Sequence, residues 1–166
     1  CRTQFERTAA LIDVSAEDFY VLDVFRVVGG TEHMRFVQSL PGEVTTDGLS
    51  LAATEDFGRT FQMRHYQEDL APQPGWSVDF AIADVFGYLA QGEPARLRYT
   101  DLTEGASAGL AESWAVAGSY NENGEVWVPR AFAVRKADQG PLASTFVACV
   151  VPYGDAPAVT RDRKSV

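Results

Sequence analysis

Apolar residues in this chain recur with a period of two, and no segment sustains the three-to-four spacing of an amphipathic helix. Trp76, Val78, Phe80 and Ile82 alternate with Ser77, Asp79 and Ala81, and Leu97 and Tyr99 are interleaved with Arg96 and Arg98. Leu110, Glu112, Trp114 and Val116 alternate with Ala111, Ser113 and Ala115. A strand sends successive side chains to opposite faces, so these stretches read as strands with one buried and one wetter face.

Two further runs, Phe19 to Val28 and Phe146 to Val151, are almost continuously β-branched and aromatic, as expected of central strands. Turn signals separate the runs: Gly29-Gly30, Pro41-Gly42, Asp47-Gly48, Pro74-Gly75, Asn123-Gly124 and Gly140-Pro141. Strands are expected near residues 7–14, 18–28, 31–40, 48–53, 58–67, 75–82, 95–101, 109–117, 125–136 and 142–152. About nine or ten short strands at this spacing predict an all-β, antiparallel β-sandwich rather than βαβ units. The sandwich is expected to fill 1–159, with 160–166 (TRDRKSV) as a polar tail; 83–91 reads as a short helix or a loop.

Charge narrows the function. With a formal net charge of −9, the chain lacks the basic balance of a nucleic-acid binder, so no nucleic-acid partner is expected. An acidic chain that handles an acidic polymer needs local arginine or lysine, which makes the individual arginines informative. No apolar run reaches the length of a membrane-spanning helix, and the first residues show no secretory signal pattern. The two cysteines do not make a disulfide framework, and Cys149 reads as a small core residue.

The richest segment for chemistry is Phe19 to Leu40. Asp23 shares a strand face with Phe19, Val21, Phe25 and Val27, whereas Arg26 shares the other with Tyr20, Leu22, Val24 and Val28. A charge on an apolar face must be paired, hydrogen-bonded or ligated. The simpler reading is a structural charge satisfied by a neighbouring strand. Gly29-Gly30 reads as a tight hairpin leading into His33-Met34-Arg35-Phe36. A two-residue loop puts His33 opposite Arg26, away from Asp23; an odd-numbered loop puts His33 and Asp23 on one face, where they could share a metal ion.

His65, the second of two histidines, shares a face with Phe61 and Met63 and reads as an ordinary hydrogen-bonded residue. No zinc, nucleophile-elbow, P-loop or dinucleotide motif occurs. Arg96, Arg98, Arg130 and Arg135, together with the aromatics, remain as material for a carbohydrate surface, against the plainer reading of solvated faces and core rings.

The run ALIDVSAEDFYVLDVFRVVGGTEHMRF (10–36), followed by PGWSVDF, RLRYTDL and PLASTFVACVVPY, resembles the C-terminal β-sheet domain of heparinase II/III-like polysaccharide lyases. The resemblance covers roughly residues 7–155 and is carried mostly by core-strand patterns. It implies a supersandwich-like fold in a periplasmic or secreted protein. It further implies a parent chain with an N-terminal α/α toroid, absent from this sequence, that holds most of the machinery for β-elimination of uronic-acid polysaccharides. It also implies His33 as a catalytic candidate, Arg26 and Arg35 as contacts to an acidic polysaccharide, and Asp23 with His33 as ligands of a structural divalent metal such as zinc.

One departure is that Phe36-Val37-Gln38-Ser39 stands where the family pattern has a second histidine, which weakens both the metal and the direct catalytic role. The chain alone is therefore not expected to be active. The competing expectations are a non-catalytic carbohydrate-binding or scaffolding sandwich, and a purely structural module with an exposed apolar patch.

Overall fold

The computed structural model describes residues 3–55, 62–84, 92–115 and 126–157, with Gly87 and Leu89. All the regular structure among them is strand: β1 (Gln4–Asp13), β2 (Phe19–Val28), β3 (Glu32–Gln38), β4 (Gly42–Asp47), β5 (Ala52–Ala53), β6 (Met63–Asp69), β7 (Trp76–Ile82), β8 (Arg96–Asp101), β9 (Ser107–Ala115), β10 (Val126–Lys136) and β11 (Ala143–Tyr153). They form a six-stranded sheet in the order β1-β2-β11-β8-β7-β4 and a five-stranded sheet in the order β3-β10-β9-β6-β5. Every pairing is antiparallel, and the two sheets pack face to face as a β-sandwich.

The core between the sheets is asymmetric. The six-stranded sheet sends in large side chains: Trp76, Val78, Phe80, Tyr99 and Phe146. The five-stranded sheet answers with Ala108, Ala131 and Ala133, and the segment just before β9 adds Ala106. Large residues against small ones let facing layers interdigitate without voids. The larger residues of the five-stranded sheet lie on its other face, where Phe132, Val134, Tyr66 and Met63 form a second cluster. Gly109 belongs to that face, because a Cβ there would stand 2.3 Å from the Phe132 ring and 2.4 Å from the Gln67 carbonyl.

Proline placement follows from hydrogen bonding. Pro129 lies in β10 just before Arg130, the first residue paired to β3, and Pro152 lies in β11 beyond Val150, the last residue paired to β2. Each therefore sits where one flank of the strand has no ladder to interrupt.

The structure corrects three expectations. Gly29-Gly30 does not close a hairpin: β2 and β3 belong to different sheets, and β3 pairs with β10 instead. The two glycines, at φ 130° and 55°, turn the chain across the sandwich through backbone conformations that other residues rarely adopt. Loop parity accordingly says nothing about Asp23 and His33. A strand at Gly42–Asp47 was not anticipated. Cys149 points to the outer face of the six-stranded sheet, half-buried, rather than into the core. The segment 83–91 lies mostly outside the described residues, and 160–166 lies wholly outside them.

Candidate functional site

Two charged constellations stand out, one between the sheets and one on the outer face of the six-stranded sheet. The inner one is built from strand parity. Asp23 on β2, Ala148 on β11 and Asp101 on β8 occupy one row across the sheet, all facing inward and all buried. From the facing sheet, β3 directs His33 and Arg35 inward, both buried. Arg35 Nη2 donates to Asp23 Oδ2 at 2.7 Å. Arg7, on the edge strand β1, adds a two-pronged grip, with Nε to Oδ1 at 3.0 Å and Nη2 to Oδ2 at 2.8 Å. Both carboxylate oxygens of Asp23 are thus engaged by guanidinium groups, and the bond with Asp23 raises the pKa of Arg7.

The rest of the inner site is equally committed. Asp101 accepts from the Tyr99 hydroxyl and, at 2.7 Å, from the Thr103 backbone N–H. Burial, and then the charge of Asp101, push the Tyr99 phenol well above its ordinary pKa. The Arg35 guanidinium lies 5.4 Å from the centre of the same ring. His33 Nε2 is 2.6 Å from the Gly29 carbonyl, and Nδ1 is 2.8 Å from Ser144 Oγ. A carbonyl can only accept, so Nε2 carries the hydrogen, and in the neutral ring Nδ1 accepts from Ser144.

These contacts bear on each residue singled out by sequence. Asp23 and Arg35 meet as an ion pair buried at 4% and 7% side-chain exposure, in which the Asp23 carboxylate is satisfied within the protein. His33 has both nitrogens occupied within the protein. Among the described residues no group of three or more His, Cys, Asp or Glu side chains converges. Asp23 and His33 therefore do not fit a metal ion in this arrangement. Arg26 is exposed on the outer face of the six-stranded sheet, opposite Glu6 on β1 and Thr145 on β11.

His65 is also outward. A bulge between Arg64 and Gln67, with His65 at φ 56°, turns Tyr66 into the second cluster and leaves His65 exposed. There His65 and Arg64 share the Glu112 carboxylate, at 3.1 and 2.7 Å.

The outer constellation was not assembled by sequence reasoning. Arg98 on β8 binds Asp79 on β7 in a fork, Nε to Oδ1 at 2.9 Å and Nη2 to Oδ2 at 2.8 Å. Tyr153 on β11 donates its hydroxyl to the same Asp79 at 2.6 Å. The Asp79 bond raises the pKa of Arg98, whereas burial and then the same bond raise that of Tyr153. The cross-strand register Asp79–Arg98 was legible only once β7 and β8 were known to pair.

Beside this triad lies a cleft of about 440 Å³, lined among others by Tyr20, Leu22, Ser77, Arg98, Thr100 and Cys149. It runs across β2, β11, β8 and β7, combining an aromatic face, hydroxyls and a fixed guanidinium. Burial raises the pKa of the Cys149 thiol, which disfavours the reactive thiolate. No family model matches the chain, and no curated protein is similar to it in sequence. Among the described residues, no helix is long and apolar enough to cross a membrane.

Proposed function

We propose that this chain is the β-sandwich module of a heparinase II/III-like lyase for uronic-acid polysaccharides. In this reading it lines the glycan cleft and leaves proton transfer to an N-terminal α/α toroid. The observation that carries the reading is the outer cleft with Tyr20, Thr100 and Arg98 along it. An aromatic ring offers a stacking face for a sugar, hydroxyls exchange hydrogen bonds with sugar hydroxyls, and arginine recognises carboxylates. Arg96 and Arg26, both exposed on this same sheet face, supply local positive charge on a chain whose formal net charge is −9.

The buried state of His33 favours a second reading, a carbohydrate-binding or scaffolding sandwich with no catalytic residue of its own. Both readings predict that the chain alone binds uronate oligosaccharides at the outer cleft and forms no unsaturated product. Binding is followed by amide chemical-shift perturbation, and elimination by the ultraviolet absorbance of the unsaturated uronate. Product formed by the chain alone overturns the non-catalytic assignment. Oligosaccharides that leave Tyr20, Thr100 and Arg98 unperturbed overturn the carbohydrate role. Rejoining the chain to the toroid separates the two readings, since Tyr20→Ala lowers turnover only if the cleft belongs to a lyase.

A further inference from the structure

A second cavity lies at the open side of the sandwich, away from the outer cleft. It measures about 470 Å³, within the range of small-molecule sites, and is lined by Phe5, Arg7, Phe25, Met34, Arg35, Phe36 and Val37. Its walls come from β1 and β2 of one sheet and from β3 of the other, the edge strands on that side being β1 and β3. Phe5 and Phe25 meet edge to face at 4.7 Å, forming one apolar wall.

Two guanidinium groups line this apolar space and share a single carboxylate, Asp23. The nearest other buried carboxylate described above, Asp101, is satisfied by Tyr99 and Thr103 instead. Arg35 is 7% exposed, and its Nη1 is buried with no hydrogen-bond partner. An unpartnered donor on a buried charge is costly, and an anionic acceptor relieves that cost. Arg7, with a side chain 67% exposed, stands at the accessible side of the same cavity.

We propose that this cavity binds an apolar monocarboxylate. Arg35 and Arg7 receive its carboxylate, and Phe5, Phe25, Met34 and Phe36 enclose its hydrocarbon or aromatic body. The named walls offer no side-chain hydroxyl to a sugar, so the ligand class differs from that proposed for the outer cleft, and neither proposal depends on the other.

The test is a titration of the full chain with octanoate and, in parallel, with octanol, followed by amide chemical shifts. Octanoate is expected to bind saturably with shifts centred on Phe5, Arg7, Arg35 and Phe36, and octanol about tenfold or more weakly, as for loss of a charged hydrogen bond. Arg7→Gln and Phe5→Ala lie at exposed positions and should each weaken octanoate without unfolding the chain. Lys136→Gln, which removes the same charge elsewhere on the surface, should leave the affinity unchanged. Equal binding of octanol and octanoate, no saturable shift with octanoate, or wild-type affinity in Arg7→Gln each overturns the proposal.

Discussion

The two aspartate–arginine sites use the same chemistry in opposite settings. Between the sheets, Asp23 is 4% exposed and holds Arg35 at 7%; on the outer face, Asp79 at 13% holds Arg98 at 27%. In the interior, water cannot replace a lost partner, so removing one member alone strands a buried charge. On the outer face, solvent can stand in for a lost partner. What distinguishes them is what would remain if one partner were removed.

The sharpest way to break the comparison is to truncate each aspartate. Asp23→Ala leaves the Arg35 charge buried and unpaired and should cost roughly 3–5 kcal/mol, read from chemical denaturation. Replacing Asp23 by Leu and Arg35 by Met together should recover most of that loss, because no buried charge is left behind. Failure of the double variant to exceed Asp23→Ala would mean that the inner pair contributes through geometry rather than charge. Asp79→Ala should cost only about 1 kcal/mol, in the range of a part-exposed ion pair, and should weaken uronate binding by loosening Arg98.

Tyrosines extend the contrast to pH. Below the ordinary phenol pKa of 10.0, Tyr99 is protonated in both folded and unfolded chains. Above it the unfolded chain releases the proton and the folded chain keeps it, so stability falls as pH rises through this window. Spectrophotometric titration should show Tyr153 ionising in the folded protein, later than a free phenol, and Tyr99 only as the chain unfolds. The smallest effect concerns Cys149, whose thiol should alkylate more slowly than a free cysteine at neutral pH, since burial raises its pKa.

Much of the fold was legible because strand periodicity is local. Trp76, Val78 and Phe80 face the core as their alternation predicted. The strand Gly42–Asp47 escaped because GEVTTD carries a single large apolar residue and lies at a sheet edge, where pattern is weakest. The site was harder. That Asp23 needed a partner followed from its apolar face, but Arg35 reaches it from the other sheet, and no spacing rule encodes a contact across a sandwich. Gly29-Gly30 carried the local mark of a hairpin. The pairing of β3 with β10 overrode it, bringing Phe36 beside Phe132, more than half the chain away in sequence.

The position of β11 has a consequence for how the molecule is made. It lies between β2 and β8, near the middle of the six-stranded sheet, although it is the last of the described strands to be synthesised. During translation, β2 can gain β1 as a neighbour early, but its other edge stays open until residues 143–153 emerge. Completion of the six-stranded sheet therefore waits for β11 to emerge, and distant pairings of this kind fold slowly. A nascent chain halted before β11 would expose the apolar edge of β2 and invite association with other chains.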